Sequence, residues 1–341
     1  MIHVLSSVYG SAAAWRRHWY AAHPRWRRRL TQPVISVGNL RVGGSGKTPI
    51  VGALVQMLLE AGERPAILTR GYGRRSRQRV TVVSDFHRVQ ATADESGDEP
   101  FMLARALPGA AVVVSADRYL AGEVAERRLG ATVHVLDDGF QHVQLDRDID
   151  LLLVAEEDLE DRPMPAGRLR ERLDAGSVAD AALVTAGYDA AAERIARGFS
   201  LTTVFRVTRT IGAPRMIAGA HDSVVVPTES RVFVVTGIAR PDRFVADLAA
   251  AGWTIAGTLH YRDHHRFTPR DVRRIGAAAR EASSAIILTT EKDAVRLTAC
   301  ELGTLPIAAV PLVVGIEPRD RFQEWLFERL SNARGRTTGG Q

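Results

Sequence analysis

Residues 43–49 read Gly-Gly-Ser-Gly-Lys-Thr-Pro, shortly after an apolar run of strand length at Val34–Val37 and at the start of a helical pattern. Glycines at such a junction let successive backbone N–H groups turn inward around phosphate oxygens, and the start of a helix adds a favourable dipole. The Lys47 ammonium can reach the β and γ phosphates, and the Thr48 hydroxyl can hold Mg²⁺. The stretch therefore predicts a P-loop between a strand and a helix.

The strict P-loop pattern has a glycine six residues before the lysine, where this chain has Arg41, and the nearest earlier glycine is Gly38. The remaining glycines, lysine and threonine still favour nucleotide binding over an ordinary glycine-rich turn. We assign the nucleotide contacts to eight consecutive residues, namely Arg41, Val42, Gly43, Gly44, Ser45, Gly46, Lys47 and Thr48.

Apolar runs of strand length alternate with helical patterns through most of the chain, for example Ala66–Thr69, Ala111–Ser115 and Val133–Leu136. Buried strands separated by helices predict an α/β fold with a mainly parallel sheet and helices on both faces, of the P-loop NTPase type. After residue 230 the same alternation predicts a second, smaller α/β domain, joined to the first by an extended two-stranded linker in which 201–207 pairs with an extended piece such as Ala308–Val314.

These patterns predict five segments. They are a basic amphipathic arm at 1–30, a P-loop domain at 31–205, a linker and hinge at 206–229, the smaller α/β domain at 230–331 and a disordered tail at 332–341.

Composition excludes several classes of protein. Among 341 residues, 45% are hydrophobic and 25% charged, as in soluble globular proteins, and the single cysteine, Cys300, excludes an internal disulfide or a cysteine-based metal cluster. No apolar run approaches the ~20 residues that span a bilayer, and the N-terminus lacks a secretory apolar core. We therefore expect a protein without a transmembrane segment that stays in the cytoplasm.

The first 30 residues hold six arginines and no acidic residue, against a net charge of +6 for the whole chain. On a helical wheel one arc carries apolar and aromatic residues: Val4, Leu5, Val8, Tyr9, Ala12, Trp15, Trp19 and Tyr20. Such a helix suits a membrane interface, with the arginines on anionic lipids. The alternative is a helix packed on the body of the protein.

Two acidic residues, Asp137 and Asp138, follow the apolar strand Val133–Leu136 directly. Carboxylates delivered to the edge of a sheet by a buried strand form the Walker-B arrangement, in which one of them holds Mg²⁺ directly or through water. The alternative is a solvated Asp-Gly turn. With a P-loop in the same sheet, we favour the metal site.

Further polar residues follow other strands of the predicted P-loop domain. Asp98 and Glu99 open a helix, where Asp98 could serve as an N-cap or as a general base near the γ-phosphate, and Glu99 is a further metal candidate. Arg70 and Tyr72 lie in a glycine-rich loop after a strand, and Arg118 follows another strand. These three are candidate phosphate or substrate contacts, with solvated loop residues as the alternative.

The smaller domain offers Asp263-His264-His265 after one strand and Thr290-Glu291-Lys292-Asp293 after another. Adjacent histidines cannot both point the same way, and a capping aspartate beside a surface histidine is the simpler interpretation. The 45 basic residues include only two lysines, Lys47 and Lys292. Two lysines in an arginine-rich chain call for a chemical explanation.

Taken together and in order, these segments resemble the tetraacyldisaccharide 4′-kinase family of lipid A synthesis. The resemblance covers nearly the whole chain and also rests on Ser36–Leu40, Thr69–Gly73, Gly97–Pro100, Asp137–His142, Pro165–Glu171, Val235–Pro241, Asp263-His264 and Thr290–Val295. The family's own P-loop lacks the early glycine, as this chain does.

The resemblance implies a kinase that moves the γ-phosphate of ATP, with Mg²⁺, to the 4′-hydroxyl of a tetraacyldisaccharide 1-phosphate, giving the 1,4′-bisphosphate. It implies an acylated disaccharide as substrate and work at the cytoplasmic face of the bacterial inner membrane. It also points to the first histidine of the pair, so we expect Asp98, His264 and Lys47 to be catalytic. Closure about the linker is expected to bring His264 to Asp98.

Two other classes remain open from the residues alone. A membrane-associated ATPase of the partition or targeting type also carries a P-loop and an amphipathic helix, but its loop usually begins with a further lysine, where this chain has Val42. A nucleic-acid-binding ATPase would rest only on the arginine cluster, and the nearby tryptophans fit a membrane better. We expect no nucleic acid and no obligate protein partner.

Overall fold

The computed structural model describes residues 1–43, 46–185, 189–218 and 230–338. It divides the chain into two compact units, one of residues 1–208 with 314–341 and one of residues 209–313. The fold is α/β throughout, with parallel strands predominating in both sheets.

The helices and strands of residues 1–211 are, in chain order, α1 (Ile2–Ala22), β1 (Val34–Asn39), α2 (Lys47–Glu60), β2 (Pro65–Thr69), β3 (Thr81–Ser84), α3 (Ala93–Ser96), α4 (Asp98–Ala106), β4 (Ala111–Val114), α5 (Arg118–Val124), β5 (Val133–Asp137), β6 (Ile149–Val154), β7 (Ala181–Val184), α6 (Asp189–Phe199) and β8 (Val204–Ile211). The remaining elements are β9 (Arg215–Ala218), β10 (Arg231–Thr236), α7 (Pro241–Ala250), β11 (Thr254–His260), α8 (Pro269–Glu281), β12 (Ile286–Thr290), α9 (Glu291–Leu297), β13 (Ile307–Val310), β14 (Leu312–Glu317) and α10 (Arg319–Thr338).

The first unit is built on a nine-stranded sheet in the order β14-β8-β7-β6-β1-β5-β2-β4-β3. Its central strand β1 pairs in parallel with β5 on one side and β6 on the other, while the edge strand β3 runs antiparallel to β4. The carboxyl ends of β1 and β5 therefore lie side by side, which brings the P-loop next to Asp137 and Asp138.

Successive side chains of a strand point to opposite faces, so a run of apolar residues in a strand must be covered on both faces. In β2, Ile67 joins the core under α2 and α4, while the next residue, Leu68, joins a separate core under α5. Helices on both faces follow directly from this alternation, as predicted from the sequence.

The last helix differs from its predicted place. The sequence assigns 314–331 to the smaller domain and 332–341 to a disordered tail, but α10 continues to Thr338 and belongs to the first unit. Phe322, Leu326 and Leu330 recur at helical spacing and enter the core that contains Ile35. This apolar stripe packs in the core of the first unit. The sequence does not reveal this, because the helix follows the smaller domain directly along the chain.

The predicted linker at 206–229 is replaced by strands for much of its described length. Its first part lies in β8, which neighbours β14 in the nine-stranded sheet, and a later part forms β9, antiparallel to β13. Residues 219–229 lie outside the described part of the chain. The second unit has a five-stranded sheet in the order β11-β10-β12-β13-β9.

Candidate active site

The P-loop leaves β1 at Asn39 and enters α2 at Lys47, and two of its glycines hold left-handed backbone angles. Gly43 has φ 102° and Gly46 has φ 81°, which residues with a Cβ adopt only under strain. The Lys47 Nζ lies 3.0 Å from Asn39 Oδ1 and 3.3 Å from Asp138 Oδ1. The predicted contacts at Gly44 and Ser45 fall outside the described residues.

Arg41 and Val42, the first two predicted nucleotide contacts, are engaged by the segment that follows β6. The guanidinium of Arg41 lies 3.1 Å from Glu157 and 3.2 Å from Asp158. The backbone N–H of Val42 donates to the carbonyl of Arg168 at 2.8 Å. These contacts fix the start of the loop, and a nucleotide contact by either residue stays a prediction.

Asp138 is the centre of an ion-pair network. Arg170 donates to its two carboxylate oxygens at 2.8 and 2.7 Å, and also to Asn39 Oδ1 at 2.5 Å. Burial alone would raise the pKa of Asp138, but the hydrogen bonds from Arg170 and the charge of Lys47 lower it to about 2. The carboxylate is therefore ionised at neutral pH, and it holds Lys47 and Arg170 at the end of β1.

Asp137, the neighbouring carboxylate, has the opposite electrostatic environment. Burial raises its pKa to about 7, and the negative charges of Glu99 and Asp138 add to this rise, although Lys47 and Arg118 oppose it. Adjacent carboxylates with such different pKa values have different roles. Asp138 is an ion-pair partner, whereas a nearby cation would stabilise the ionised form of Asp137.

Arg118 lies buried at the start of α5 and supplies positive charge to the same edge. Burial lowers its pKa to about 10, still far above neutral, while Asp137 and Asp138 act to raise it. Its Nη1 donates to the carbonyl of Ser115 at 2.9 Å. The charge of Arg70 also acts to lower the pKa of Arg118, which places a second arginine nearby.

Three buried donors at this edge find no acceptor among the described residues: Asn39 Nδ2, Arg118 Nε and Arg170 Nε. A buried donor without an acceptor costs free energy, on the order of 1–3 kcal/mol. Donors of this kind beside a lysine and a P-loop match the oxygen-rich surface of a polyphosphate. The edge is thus prepared for an anion.

The loop after β2 and the start of α4 pack closely together. A Cβ on Gly71 would lie 2.6 Å from the carbonyl oxygen of Ser96, and a Cβ on Gly97 would lie 2.8 Å from that of Tyr72. Glycine is therefore required at both positions, and the loop carrying Arg70 and Tyr72 is held against the helix that begins at Asp98. The Tyr72 side chain is 76% exposed.

Asp98 is the first residue of α4, with Gly97 as the N-cap and no capping hydrogen bond from a side chain. The alternative in which Asp98 is only an N-cap does not fit this arrangement. Glu99 follows it, and its charge acts on Asp137. The structure thus brings two predicted site residues from α4 and β5 within electrostatic reach of one another.

Within the described ranges, no group of three or more histidine, cysteine, aspartate or glutamate side chains is arranged to hold a metal ion. Mg²⁺ usually takes one or two carboxylates and fills its remaining positions with phosphate oxygens and water. Asp137, with its pKa raised by burial and by neighbouring carboxylates, fits such a cation, and Thr48 stands in the first turn of α2.

The two adjacent histidines of the second unit separate as expected. His265 Nε2 lies 3.1 Å from Asp271, and its ring stacks on Tyr261 with centroids 4.5 Å apart. His264 instead adopts a left-handed backbone with φ 59° and is solvent-exposed. His265 is therefore a packing residue, whereas a catalytic role for His264 stays a prediction.

Asn39 and Arg170 are central to the site, yet sequence reasoning did not single out either one. Asn39 was detectable as the polar residue that ends the otherwise apolar β1, and it is almost fully buried. Arg170 lies 131 positions from Asn39. Its only signal was its place within Pro165–Glu171, one of the segments that carry the family resemblance.

Helix α1 contacts the rest of the first unit through small and polar residues and leaves most of its apolar arc in solvent. Ser6 and Gly10 are buried against Pro163, and Arg17 forms a buried ion pair with Glu171 at 2.7 Å. Part of the predicted arc is exposed, at Val4, Leu5, Val8, Tyr9, Ala12 and Trp15, whereas its last two residues, Trp19 and Tyr20, are partly buried. Among the described residues, no helix has the length and apolar character needed to cross a bilayer.

The arginines of this region are less available to lipids than composition suggests. Arg17, Arg27, Arg28 and Arg29 each pair with a carboxylate of the first unit, at Glu171, Asp146, Asp117 and Asp148. Much of the segment's positive charge is therefore balanced within the protein. The apolar arc is the larger exposed feature.

The chain is similar to known proteins in sequence and in structure. The family described as tetraacyldisaccharide-1-P 4′-kinase matches residues 1–331. A tetraacyldisaccharide 4′-kinase of Syntrophus aciditrophicus is 34% identical, over 97% of this chain and 93% of the relative. One from Geobacter metallireducens is 38% identical, over 87% and 88%. A crystal structure of LpxK from Aquifex aeolicus in complex with ATP superposes with a TM-score of 0.77 at 30% identity, covering 96% of this chain and 97% of that one.

Proposed function

The chain belongs to the tetraacyldisaccharide-1-P 4′-kinase family, and we propose that it performs the family's reaction at the sheet edge formed by β1 and β5. It is a phosphotransferase of lipid A biosynthesis that moves the γ-phosphate of ATP to the 4′-hydroxyl of a tetraacyldisaccharide 1-phosphate. The observation that carries this function is the ion-pair network in which the P-loop lysine and Arg170 both contact Asp138. Buried hydrogen-bond donors without an acceptor among the described residues lie beside it.

Phosphoryl transfer depends on electrostatic stabilisation and positioning. Lys47 neutralises charge on the β and γ phosphates, and Asp138 keeps the ammonium at the mouth of the loop. Arg170 and Arg118 present further donors to the transferred group, with Arg70 near them. Because these groups are held by protein contacts before ATP arrives, they need little reorganisation when charge develops.

Asp137 would hold Mg²⁺ together with the Thr48 hydroxyl, and Glu99 is the next candidate ligand. The raised pKa of Asp137 supports this assignment, since a cation relieves the repulsion among the three carboxylates. Asp138 is the weaker candidate because Arg170 and Lys47 already occupy its oxygens. When bound, Mg²⁺ neutralises phosphate charge and orients the γ-phosphate.

Asp98 is proposed as the base that accepts the proton of the 4′-hydroxyl. A free aspartate is a weak base at neutral pH, so a partner that orients its carboxylate would help. His264 is proposed as that partner, and its solvent-exposed ring supports the role. The two residues belong to different units, so their joint action is a proposal about the enzyme at work.

The exposed apolar arc of α1 supports binding to a membrane surface, where the acylated substrate resides. Trp15 and Tyr9 suit the headgroup region, and the valines and Leu5 suit the acyl boundary. We place the enzyme at the cytoplasmic face, where ATP is supplied. Binding there would rest more on apolar contact than on arginines, most of which have protein partners.

The experiment that tests this function compares ADP release by the full chain with and without the acylated disaccharide 1-phosphate. A kinase releases ADP in proportion to acceptor. A membrane-associated ATPase of the partition or targeting type would release ADP at the same rate without it. An acceptor-independent rate would therefore reject the kinase assignment.

A further inference from the structure

The sheet of the second unit has a switch point between β10 and β12. From β10 the chain crosses to β11 on one side, and from β11 it returns to β12 on the other. In such sheets the loops leave in opposite directions and open a crevice outside the carboxyl ends of the strands. Gly237, His264 and Lys292 lie just beyond the ends of β10, β11 and β12.

The backbone at this point is firmly held. Asp293 is buried and accepts a hydrogen bond from the N–H of Gly237 at 2.9 Å. The Gly237 carbonyl accepts one from Arg296 at 3.0 Å, and another from the N–H of His264 at 3.2 Å. The loop of His264 is thereby tied to the ends of two other strands.

The imidazole of His264 lies between two cationic side chains. Lys292 Nζ is 3.1 Å from Nε2, and Arg296 Nη2 is 3.4 Å from Nδ1. Ammonium and guanidinium groups are donors only, and a neutral imidazole has a single lone pair. The shorter contact is therefore the hydrogen bond, with Lys292 donating to Nε2, and the ring proton resides on Nδ1.

We propose that Lys292 is a positioning residue, which fixes His264 as the Nδ1–H tautomer by donating a hydrogen bond to Nε2. This inference rests on the proposed role of His264. Nδ1–H then lies on the side of Arg296, so the 3.4 Å contact between Arg296 Nη2 and Nδ1 is not a hydrogen bond.

The choice of residue supports the same conclusion. Lys292 is one of only two lysines among 45 basic residues, and the other is in the P-loop. An ammonium is a compact point charge with three rotatable donors, whereas a guanidinium is a wide planar fork. Asp263 Oδ1 lies 3.6 Å from the same Nζ and limits where the ammonium can move.

The test is the tautomer of His264 in the full chain, measured by long-range ¹H–¹⁵N correlation spectra of histidine-labelled protein. The His264→Asn variant identifies the signal. Wild type should show the Nδ1–H pattern, and Lys292→Met should shift the ring toward Nε2–H. Arg273→Met, which removes an exposed cation from α8, should leave the pattern unchanged.

Kinetics provide the second readout. Because a hydrogen bond to a charged group is lost, Lys292→Met should lower kcat by about tenfold or more while KM for ATP stays within about twofold. Combined with His264→Ala, it should cause no further loss. If Lys292→Met does not fold, Lys292→Gln replaces it in both measurements.

An Nε2–H pattern in wild type, or a pattern unchanged by Lys292→Met, would overturn the positioning role. The outcome for the catalytic role of His264 is separate. A His264→Ala enzyme with normal kcat would reject the pairing with Asp98, yet the tautomer shift would still decide whether Lys292 orients the ring.

Discussion

Arg170 donates two parallel hydrogen bonds of 2.8 and 2.7 Å to the carboxylate of Asp138, although the two residues lie 32 positions apart. A guanidinium and a carboxylate in this fork geometry form one of the stronger side-chain contacts. The pair fixes the carboxylate that the Lys47 ammonium approaches at 3.3 Å. Arg170 and the P-loop lysine therefore share one carboxylate, and Arg170 fixes it in place.

Replacing Arg170 with Met should lower kcat by about a hundredfold, because one donor to the transferred group and the anchor of Asp138 are lost together. Steady-state kinetics with varied ATP would measure this. Arg197→Met, which removes an exposed arginine of α6, serves as the matched control. An Arg170→Met enzyme as fast as that control would remove Arg170 from the site.

Asp137 predicts an unusual dependence of stability on pH. Its pKa is about 7 in the folded chain against an ordinary value of 3.8, so the folded state binds the proton more tightly. Between these values the free energy of unfolding contributed by this group falls as pH rises, by ~1.4 kcal/mol per unit of pKa difference at most. The free energy of unfolding of Asp137→Asn, relative to that of wild type, should therefore rise between pH 4 and pH 7.

Urea unfolding without Mg²⁺ at several pH values would measure this gain. The same variant should need more Mg²⁺ for half-maximal rate, because a proposed ligand is missing. The same stability difference between the two proteins at pH 4 and at pH 8 would show that the pKa of Asp137 is not raised in the folded chain. An unchanged Mg²⁺ requirement would show that Asp137 does not hold the metal ion.

Helix α1 allows its two faces to be tested separately. Serine at Val4, Val8 and Trp15 should weaken binding to anionic vesicles, because apolar contact is lost, with little change in unfolding free energy. Arg17→Met should do the opposite. It leaves Glu171 buried without its partner and should cost about 3–5 kcal/mol of stability while vesicle binding persists.

Vesicle sedimentation and urea unfolding are the two measurements. The triple serine variant is more informative than deletion of residues 1–22, because deletion also removes the Arg17–Glu171 pair. If the triple variant binds vesicles as tightly as wild type, the exposed arc is not a membrane-binding surface.

Asp98 and His264 should behave as one unit in kinetics. Asp98→Ala and His264→Ala are each expected to lower kcat by a large factor, and the double variant should be little slower than the worse single. The measurement is a double-mutant cycle on kcat at saturating ATP and acceptor. Fully additive losses would mean that the two residues act independently.

The sequence was sufficient for the fold class because each signal was local. The P-loop, the Asp pair after β5 and the alternation of strands and helices each depend on neighbouring residues. The partners of Asp138 were not predictable in this way. Arg170 reaches the site from a loop after β6, and no periodicity or spacing relates it to the P-loop lysine.

Two other features could not be predicted from the sequence for the same reason. The different roles of Asp137 and Asp138 arise from burial and from Glu99 and Arg170, which lie far away in sequence. The arginines after α1 seemed available to lipids because no acid lies nearby in sequence, but Asp117, Asp146 and Asp148 meet them in space. Charge within a short window does not reveal such pairing.

The most direct test of the central claim is the position of the new phosphate in the product. The full chain, ATP, Mg²⁺ and a tetraacyldisaccharide 1-phosphate would be incubated, and the lipid examined by ³¹P NMR. We predict a second phosphomonoester on the 4′ carbon with wild type and almost none with a folded Lys47→Ala variant. Consumption of ATP to inorganic phosphate without that product, or a normal yield from Lys47→Ala, would contradict the account.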